Sequence, residues 1–245
     1  ASTFREVSPD AQWLKNFGLG VSQDVWFSGI GLKAGEDNFK GAATTIPRSS
    51  SEDYSVAVKV EYQMGEHSVT SITGWRNWEY TNVTDLDGAA DLFGSSWDMS
   101  SLYEIDQITQ EIRIASPASD TFEYVAGLWY SQSDYDRGFV RKPLIPGTTV
   151  AKSDWLAYAG NEALSVFGQG TWKLSEQLHV IAGLRYQTED VEVQFDNAVN
   201  GGSFAGSDDD SVMVGRAAVQ YFVNDDVMLY ASYARGYKGQ DYNTT

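Results

Sequence analysis

The sequence contains no cysteine among its 245 residues. Disulfides, thiolate metal sites and thiol nucleophiles are therefore excluded together, although this alone does not identify a compartment. Histidine is nearly absent too. His67 and His179 both sit beside short turns and have no His, Asp or Glu at ligand spacing, which argues against a metal centre or acid–base pair. Positive charge is scarce: 17 Lys and Arg stand against 34 Asp and Glu, for a net charge of −17. A field of that sign repels a polyanion, so no nucleic-acid partner is expected. No run of 18 apolar residues occurs, which excludes a helical membrane span. The opening ASTFREV carries no basic-then-apolar leader, so a mature, cytoplasmic or partial chain is expected. No nucleophile elbow, phosphate loop or paired-carboxylate signature appears, so we expect neither an enzyme nor a cofactor.

What is abundant is aromatic and alternating. Aromatic residues make up 13% of the chain and apolar residues 42%, enough for a folded body. From about residue 53, apolar side chains recur at every second position, the period of a strand with two unlike faces. In DYSVAVKVEYQ, Tyr54, Val56, Val58, Val60 and Tyr62 share a face. Phe122, Tyr124, Ala126, Leu128 and Tyr130 do so in TFEYVAGLWYS, and Leu178, Val180, Ala182, Leu184 and Tyr186 in QLHVIAGLRYQ. Eight such segments can be placed, at roughly 53–63, 67–80, 103–116, 121–133, 163–174, 177–195, 211–223 and 227–238. The sixth changes parity near Asp190, where Val191, Val193 and Phe195 move to the other face. A bulge or a change of environment would produce that switch.

The connections alternate between short and long. Residues 64–66, 117–120, 175–176 and 224–226 are tight turns rich in Gly, Asn, Asp, Ser or Pro, whereas 81–102, 134–162 and 196–210 read as long loops. The unit is a hairpin repeated four times. All five prolines fall outside the assigned strands, as a missing ladder donor requires. Residues 1–52 contain many glycines and stay open between a long loop and a leading strand; residues 53–245 form one set of hairpins.

A soluble sandwich alternates as well, so the loop asymmetry carries the next step. Transmembrane barrels combine short turns at one rim, long loops at the other and aromatic girdles at both interfaces. Here aromatics crowd the strand ends, among them Tyr54, Tyr62, Trp75, Trp78, Tyr80, Tyr124, Tyr130, Trp172, Tyr186, Tyr221, Tyr230, Tyr233 and Tyr237. The faces opposite the apolar rows hold Lys59, Glu61, Gln107, Glu111, Arg113, Lys173, Arg185 and Arg216, too many charges to bury dry. They suit a wet or plugged lumen. The reading is all-β, an antiparallel transmembrane β-barrel with about eight strands in this chain.

The wording of the strands then becomes specific. QITQEIRIAS (107–116), FEYVAGLWY (122–130), VFGQGTWKLSEQLHVIAGLRY (166–186) and LYASYARGYK (229–238) follow one another in an order that resembles the barrel of a TonB-dependent outer-membrane receptor. Where many relatives continue with a Gly-Gly-Phe-Asn-like stretch, this chain has Gly239-Gln240-Asp241-Tyr242-Asn243. The resemblance implies active import across a Gram-negative outer membrane, driven by the TonB complex. It also implies a larger barrel of the plugged 22-stranded class, of which this chain reads as a middle portion without plug domain or TonB box. Outer-membrane lipid, lipopolysaccharide, the TonB complex and a small-molecule nutrient ligand are the implied partners. Iron chelates such as iron–siderophore complexes, cobalamin, metal complexes and oligosaccharides stay open as substrates.

Because a large ligand meets the outer rim first, loops 81–102 and 134–162 are where recognition is expected. Trp97, Tyr103, Tyr135, Arg137, Arg141 and Trp155 are the aromatic and basic candidates. Glu111, Arg113, Arg185 and Arg216 are expected to face a plug from the lumen wall. The acidic stretch with Asp85, Asp87 and Asp91 lacks a Glu where a calcium loop needs one, having Gly94 there, and reads as a solvated loop. Asp208–Asp210 reads likewise as a solubilising outer loop, and no metal site is assigned. A passive porin or small complete eight-stranded barrel is the first rival; a secreted soluble β-sandwich adhesin or lectin is the second.

Overall fold

In a computed structural model, residues 45–85, 98–141 and 153–239 are described. They form a single antiparallel sheet of eight strands in strict chain order. The strands are β1 (Arg48–Met64), β2 (His67–Asp85), β3 (Asp98–Ala115), β4 (Phe122–Arg141), β5 (Ser153–Lys173), β6 (Leu178–Asn197), β7 (Ser203–Asn224) and β8 (Val227–Arg235). Every strand pairs with its neighbour in sequence, and β1 does not pair with β8 among the described residues. Among the described residues the sheet is thus neither two packed layers, as a soluble sandwich needs, nor a closed eight-stranded barrel.

The tight turns lie where Gly, Asn and Ser put them. Gly65 closes the β1–β2 hairpin at φ 65°, a left-handed conformation that side chains disfavour. Asn224 Oδ1 accepts the backbone N–H of Asp226 and Val227 at 3.0 and 2.9 Å, and Ser175 Oγ accepts that of Leu178 at 3.1 Å.

The long loops are shorter than the sequence implies, because the strands run on. β2 through β7 have 18 to 22 residues, where the assigned segments have 12 to 19. Residues 81–85, 98–102, 134–141 and 153–162 belong to strands, and 196–210 shrinks to a turn around Gly201 (φ 69°). Asp208, Asp209 and Asp210 therefore lie within β7, not in a loop. Asp85 is no solvated loop residue either; it is buried at the end of β2 and accepts the Thr45 N–H at 3.1 Å. Asp87, Asp91, Gly94 and Trp97 fall outside the described residues. β1 begins at Arg48, five residues before the expected start.

The pairing assigns every side chain to a face. Directly opposed residues Val60, Ser71, Ile112, Leu128, Val166, Tyr186 and Met213 make one row across β1–β7. This row carries the large apolar side chains, which are exposed: Val60 is 57% accessible, Leu128 54% and Val166 51%. In a one-layer sheet such exposure suits contact with hydrocarbon, and we call this face outer. One step along each strand, Glu61, Thr70, Arg113, Gly127, Phe167, Arg185 and Val214 make the adjoining inner row. Tyr54, Tyr62, Trp75, Tyr124, Tyr130, Trp172, Tyr186, Tyr221 and Tyr233 are on the outer face, where girdles belong. Trp78, Tyr80 and Tyr230 are not; pairing turns them inward.

Chemistry then inverts along each strand. Above the apolar band the outer face carries Glu79, Glu104, Asp106, Asp134, Asp136, Asp154, Glu162, Asp190, Glu192, Asp196 and Asp209. Every Lys and Arg of β2–β7 (Arg76, Arg113, Arg137, Arg141, Lys173, Arg185 and Arg216) is on the inner face instead. The parity change at Asp190 belongs to this inversion. The β5–β6 register runs unbroken from Trp155–Asn197 to Lys173–His179, so β6 contains no bulge and merely leaves the apolar band. The sheet's one register shift lies between Phe222 and Asn224, beside the lower β7–β8 turn.

Candidate functional site

The upper inner face gathers the aromatic residues. Tyr80 opposes Tyr103 on β3, Tyr103 opposes Arg137 on β4, and Arg137, Ala157, Phe195 and Phe204 continue the line through β7. Ring contacts make it continuous. Trp78 stacks on Tyr80 at 6.0 Å, Tyr80 meets Tyr103 at 5.9 Å and Tyr103 meets Tyr135 at 6.4 Å. Farther along, Phe139 meets Trp155 at 5.2 Å, Trp155 meets Phe195 at 5.6 Å, and Phe195 stacks on Phe204 at 5.4 Å.

Arg137 closes the gap between the two halves of this row. Its guanidinium lies 5.2 Å from the Tyr103 ring and 5.1 Å from the Trp155 ring, both within cation–π range. Beneath it the wall is dry: Ala157, Val191 and Val193 are buried, Val193 almost completely. The Nε atoms of Arg137 and Arg141 are buried without a hydrogen-bond acceptor. Held by rings and without a carboxylate partner among the described residues, this guanidinium presents a planar, positively charged donor edge, which suits an anionic group. Burial pushes the Tyr135 hydroxyl above its usual value, against the opposing pull of Arg137, so it stays protonated and able to donate.

Of the six rim candidates, four meet in this row: Tyr103, Tyr135, Arg137 and Trp155. They do so from strands, whereas the sequence reading puts Tyr135, Arg137 and Trp155 in the 134–162 loop. Arg141 is on the same face of β4, four residues above Arg137, at the end of its strand. Trp97 lies outside the described residues. Tyr80, Phe139, Phe195 and Phe204 were not anticipated. The parity change after Asp190 was the one signal for Phe195, since it marks where β6 turns an apolar side chain inward.

The outer side of the same wall is chemically opposite. Tyr158 Oη donates to Asp134 Oδ1 at 2.6 Å and also lies 3.0 Å from Glu192 Oε1. The hydrogen bond to Asp134, lost hydration and the second carboxylate drive that phenol far above its usual value. Asp136 is raised as well, by burial first and then by Asp134 and Asp106.

Lower down, Glu111, Arg113, Arg185 and Arg216 all lie on the inner face. Arg113 Nη1 and Glu111 Oε1 pair at 3.0 Å on β3. Arg185 rests over the Trp129 ring at 4.8 Å and donates to Gln187 Oε1 at 3.2 Å, and Arg216 sits on the adjacent β7, opposite Gly183. Two strands separate the ion pair from the two arginines. Neither histidine has a metal-binding neighbourhood among the described residues: His67 packs near Tyr124 and His179 against Phe222.

Comparison with known proteins agrees with this architecture. The chain is 22% identical over 250 residues to the pesticin receptor of Yersinia pestis, matching 97% of this chain and 35% of that protein. It thus spans about a third of the length of that relative. Its fold is similar to the ferric yersiniabactin uptake receptor FyuA from Yersinia pestis (TM-score 0.61, 18% identity, covering 76% of this chain and 28% of that one). It is also similar to the copper transporter OprC (TM-score 0.62, 15% identity, 82% and 32%) and to the siderophore receptor PiuA from Acinetobacter baumannii (TM-score 0.56, 12% identity, 76% and 32%). The model of the TonB dependent receptor-like β-barrel matches residues 3–245. With an antiparallel meander whose apolar face is turned outward and a match over nearly its whole length, the chain belongs to the TonB-dependent receptor β-barrel family, a family of Gram-negative outer-membrane receptors and not of enzymes.

Proposed function

We propose that this chain is part of the barrel wall of a TonB-dependent transporter that imports a scarce nutrient, an anionic iron–siderophore complex, across the outer membrane. The observation that carries the substrate class is Arg137, held between Tyr103 and Trp155 with its Nε buried and unpaired. Iron chelates of this kind combine negative charge with flat apolar surface, and a row of rings around a guanidinium meets both. Tyr135 and Arg141 extend the same surface. The similarity to the ferric yersiniabactin uptake receptor and to the siderophore receptor PiuA supports a siderophore over cobalamin or an oligosaccharide.

The remainder of the molecule would serve transport. The outer apolar band meets lipid, and the acidic wall above it meets the lipopolysaccharide layer. Glu111, Arg113, Arg185 and Arg216 would contact a plug domain that the TonB complex rearranges. The test uses the full-length receptor in cells, with iron-chelate binding and uptake as readouts. Arg137→Ala and Trp155→Ala should each weaken binding about tenfold, the loss of roughly 1.4 kcal/mol, and leave heat-modifiable gel migration intact. Uptake should cease in cells lacking TonB. Import that persists there would instead identify a passive pore, and unchanged binding in both variants would remove the aromatic row as the ligand site.

A further inference from the structure

β8 ends at Arg235, opposite Gly215, although β7 continues upward to Ser203. The chain after Arg235 leaves the sheet and turns onto its inner face. Tyr237 Oη lies 3.0 Å from Asp210 Oδ2 on β7 and 3.3 Å from Glu189 Oε2 on β6. Gly239 stands closer still: a Cβ there would come within 2.7 Å of Glu189 Oε1 and 2.8 Å of Oε2. Residues 236–239 thus cross the inner face of β7 and reach β6.

Their landing place is unusual. Glu189 and Asp210 oppose each other directly across β6 and β7, and facing like charges destabilise a sheet pair. Glu189 is buried, and its other carboxylate contact is Asn161 Nδ2 at 2.5 Å, an amide without charge. Neither carboxylate has a Lys or Arg partner among the described residues. Lost hydration and the two carboxylates push the Tyr237 hydroxyl up to about 12, so it remains a proton donor at neutral pH. Glycine at 239 leaves the Glu189 carboxylate where it is; a Cβ there would push that carboxylate aside.

We propose that residues 236–239 form an inward latch, with the Glu189–Asp210 carboxylate pair as its keeper. Tyr237 donates its one O–H to Asp210 Oδ2, with Glu189 Oε2 as the alternative acceptor, and Gly239 supplies the close approach. On β6 the keeper lies six residues below Phe195 and four above Arg185, between the aromatic row and the charged lumen wall. A ligand passing from one to the other meets the latch, a consequence that rests on the proposed function; the latch itself does not.

The test places nitroxide labels at Lys238→Cys and Val58→Cys in the full-length receptor and measures their distance distribution by double electron–electron resonance. The unmodified latch should give one narrow peak. Tyr237→Phe and, independently, Gly239→Ala should abolish it, the latter while keeping every hydrogen-bonding group. Glu189→Gln with Asp210→Asn keeps acceptor oxygens and should keep the peak. Heat-modifiable migration checks folding, and if Tyr237→Phe fails to fold, Gly239→Ala decides. A broad distribution in the parent, or an unchanged narrow peak in the folded variants, overturns the latch. A released latch that leaves iron-chelate uptake unchanged would sever it from transport while leaving it standing as structure.

Discussion

Two halves of the same strands, divided near Tyr130 on β4, Leu164 on β5 and Thr188 on β6, follow opposite rules. Below that level the outer face is apolar and the inner face polar; above it the outer face is acidic and the inner face aromatic. Backbone, pleat and register do not change across the boundary. What changes is the medium on each side. A strand has only two faces, so the same parity that points Leu184 at lipid points Glu192 at water eight residues later. The inner wall changes in step, with Val191 and Val193 buried beside the aromatic row.

The comparison can be broken most sharply with one residue type placed at two heights on one face. Leu184→Arg puts a charge in the hydrocarbon at a cost of roughly 2–4 kcal/mol, and urea titration of the barrel in phospholipid vesicles should register that loss. Glu192→Arg, on the same face above the band, should change stability by no more than ~0.5 kcal/mol. Equal effects would dissolve the boundary. The inner face offers the next test. Val193→Ala removes two carbons from the most buried side chain of the wall and should cost on the order of 2 kcal/mol with its cavity, whereas Val58→Ala, exposed on the outer face, should cost clearly less in the same titration.

A smaller effect is expected in binding. Arg137→Lys preserves the charge and loses the planar stack between Tyr103 and Trp155, so iron-chelate affinity should drop about fivefold, near 1 kcal/mol. The smallest concerns the acidic wall. Asp136 has a raised pKa in the folded state, so wild-type stability increases as pH falls through that value and the folded protein takes up its proton first. Asp136→Asn should therefore be slightly stabilising at pH 7, within ~0.5 kcal/mol, and lose its advantage once the pH drops below the ordinary aspartate value of 3.8. An advantage that persists at acid pH would place its origin outside electrostatics.

The same boundary explains what the sequence made legible. Below it, rows such as Val56–Val58–Val60 alternate with polar residues, and period-two patterning is the strongest strand signal there is. Strand number, order and faces followed from it, as did the inner placement of Arg113, Arg185 and Arg216. Above it, Asp, Gly and Ser are frequent at the outer positions of β4 and β7, and stretches such as 134–141 and 203–211 imitate loops although the first is paired on both sides and the second pairs without a break to β6. The aromatic row was half legible. Tyr103, Tyr135, Arg137 and Trp155 stood out by type, but their meeting depends on pairing between residues as distant as Tyr80 and Phe204, and no local pattern records that. Trp78 and Tyr80 show the converse: an aromatic residue at a strand end reads as girdle until register fixes its side.

Each strand here pairs only with the strands before and after it in the chain, among the described residues. Such a wall has no backbone ladder across its interior that a change in circumference would break. Duplication of one hairpin would widen the ring by two strands and leave every existing neighbour, register and face as it was, since diameter grows nearly in proportion to strand number. The meander is thereby a design that evolution can lengthen by copying, with pore width adjusted by gene arithmetic while the chemistry of the surviving wall is inherited intact.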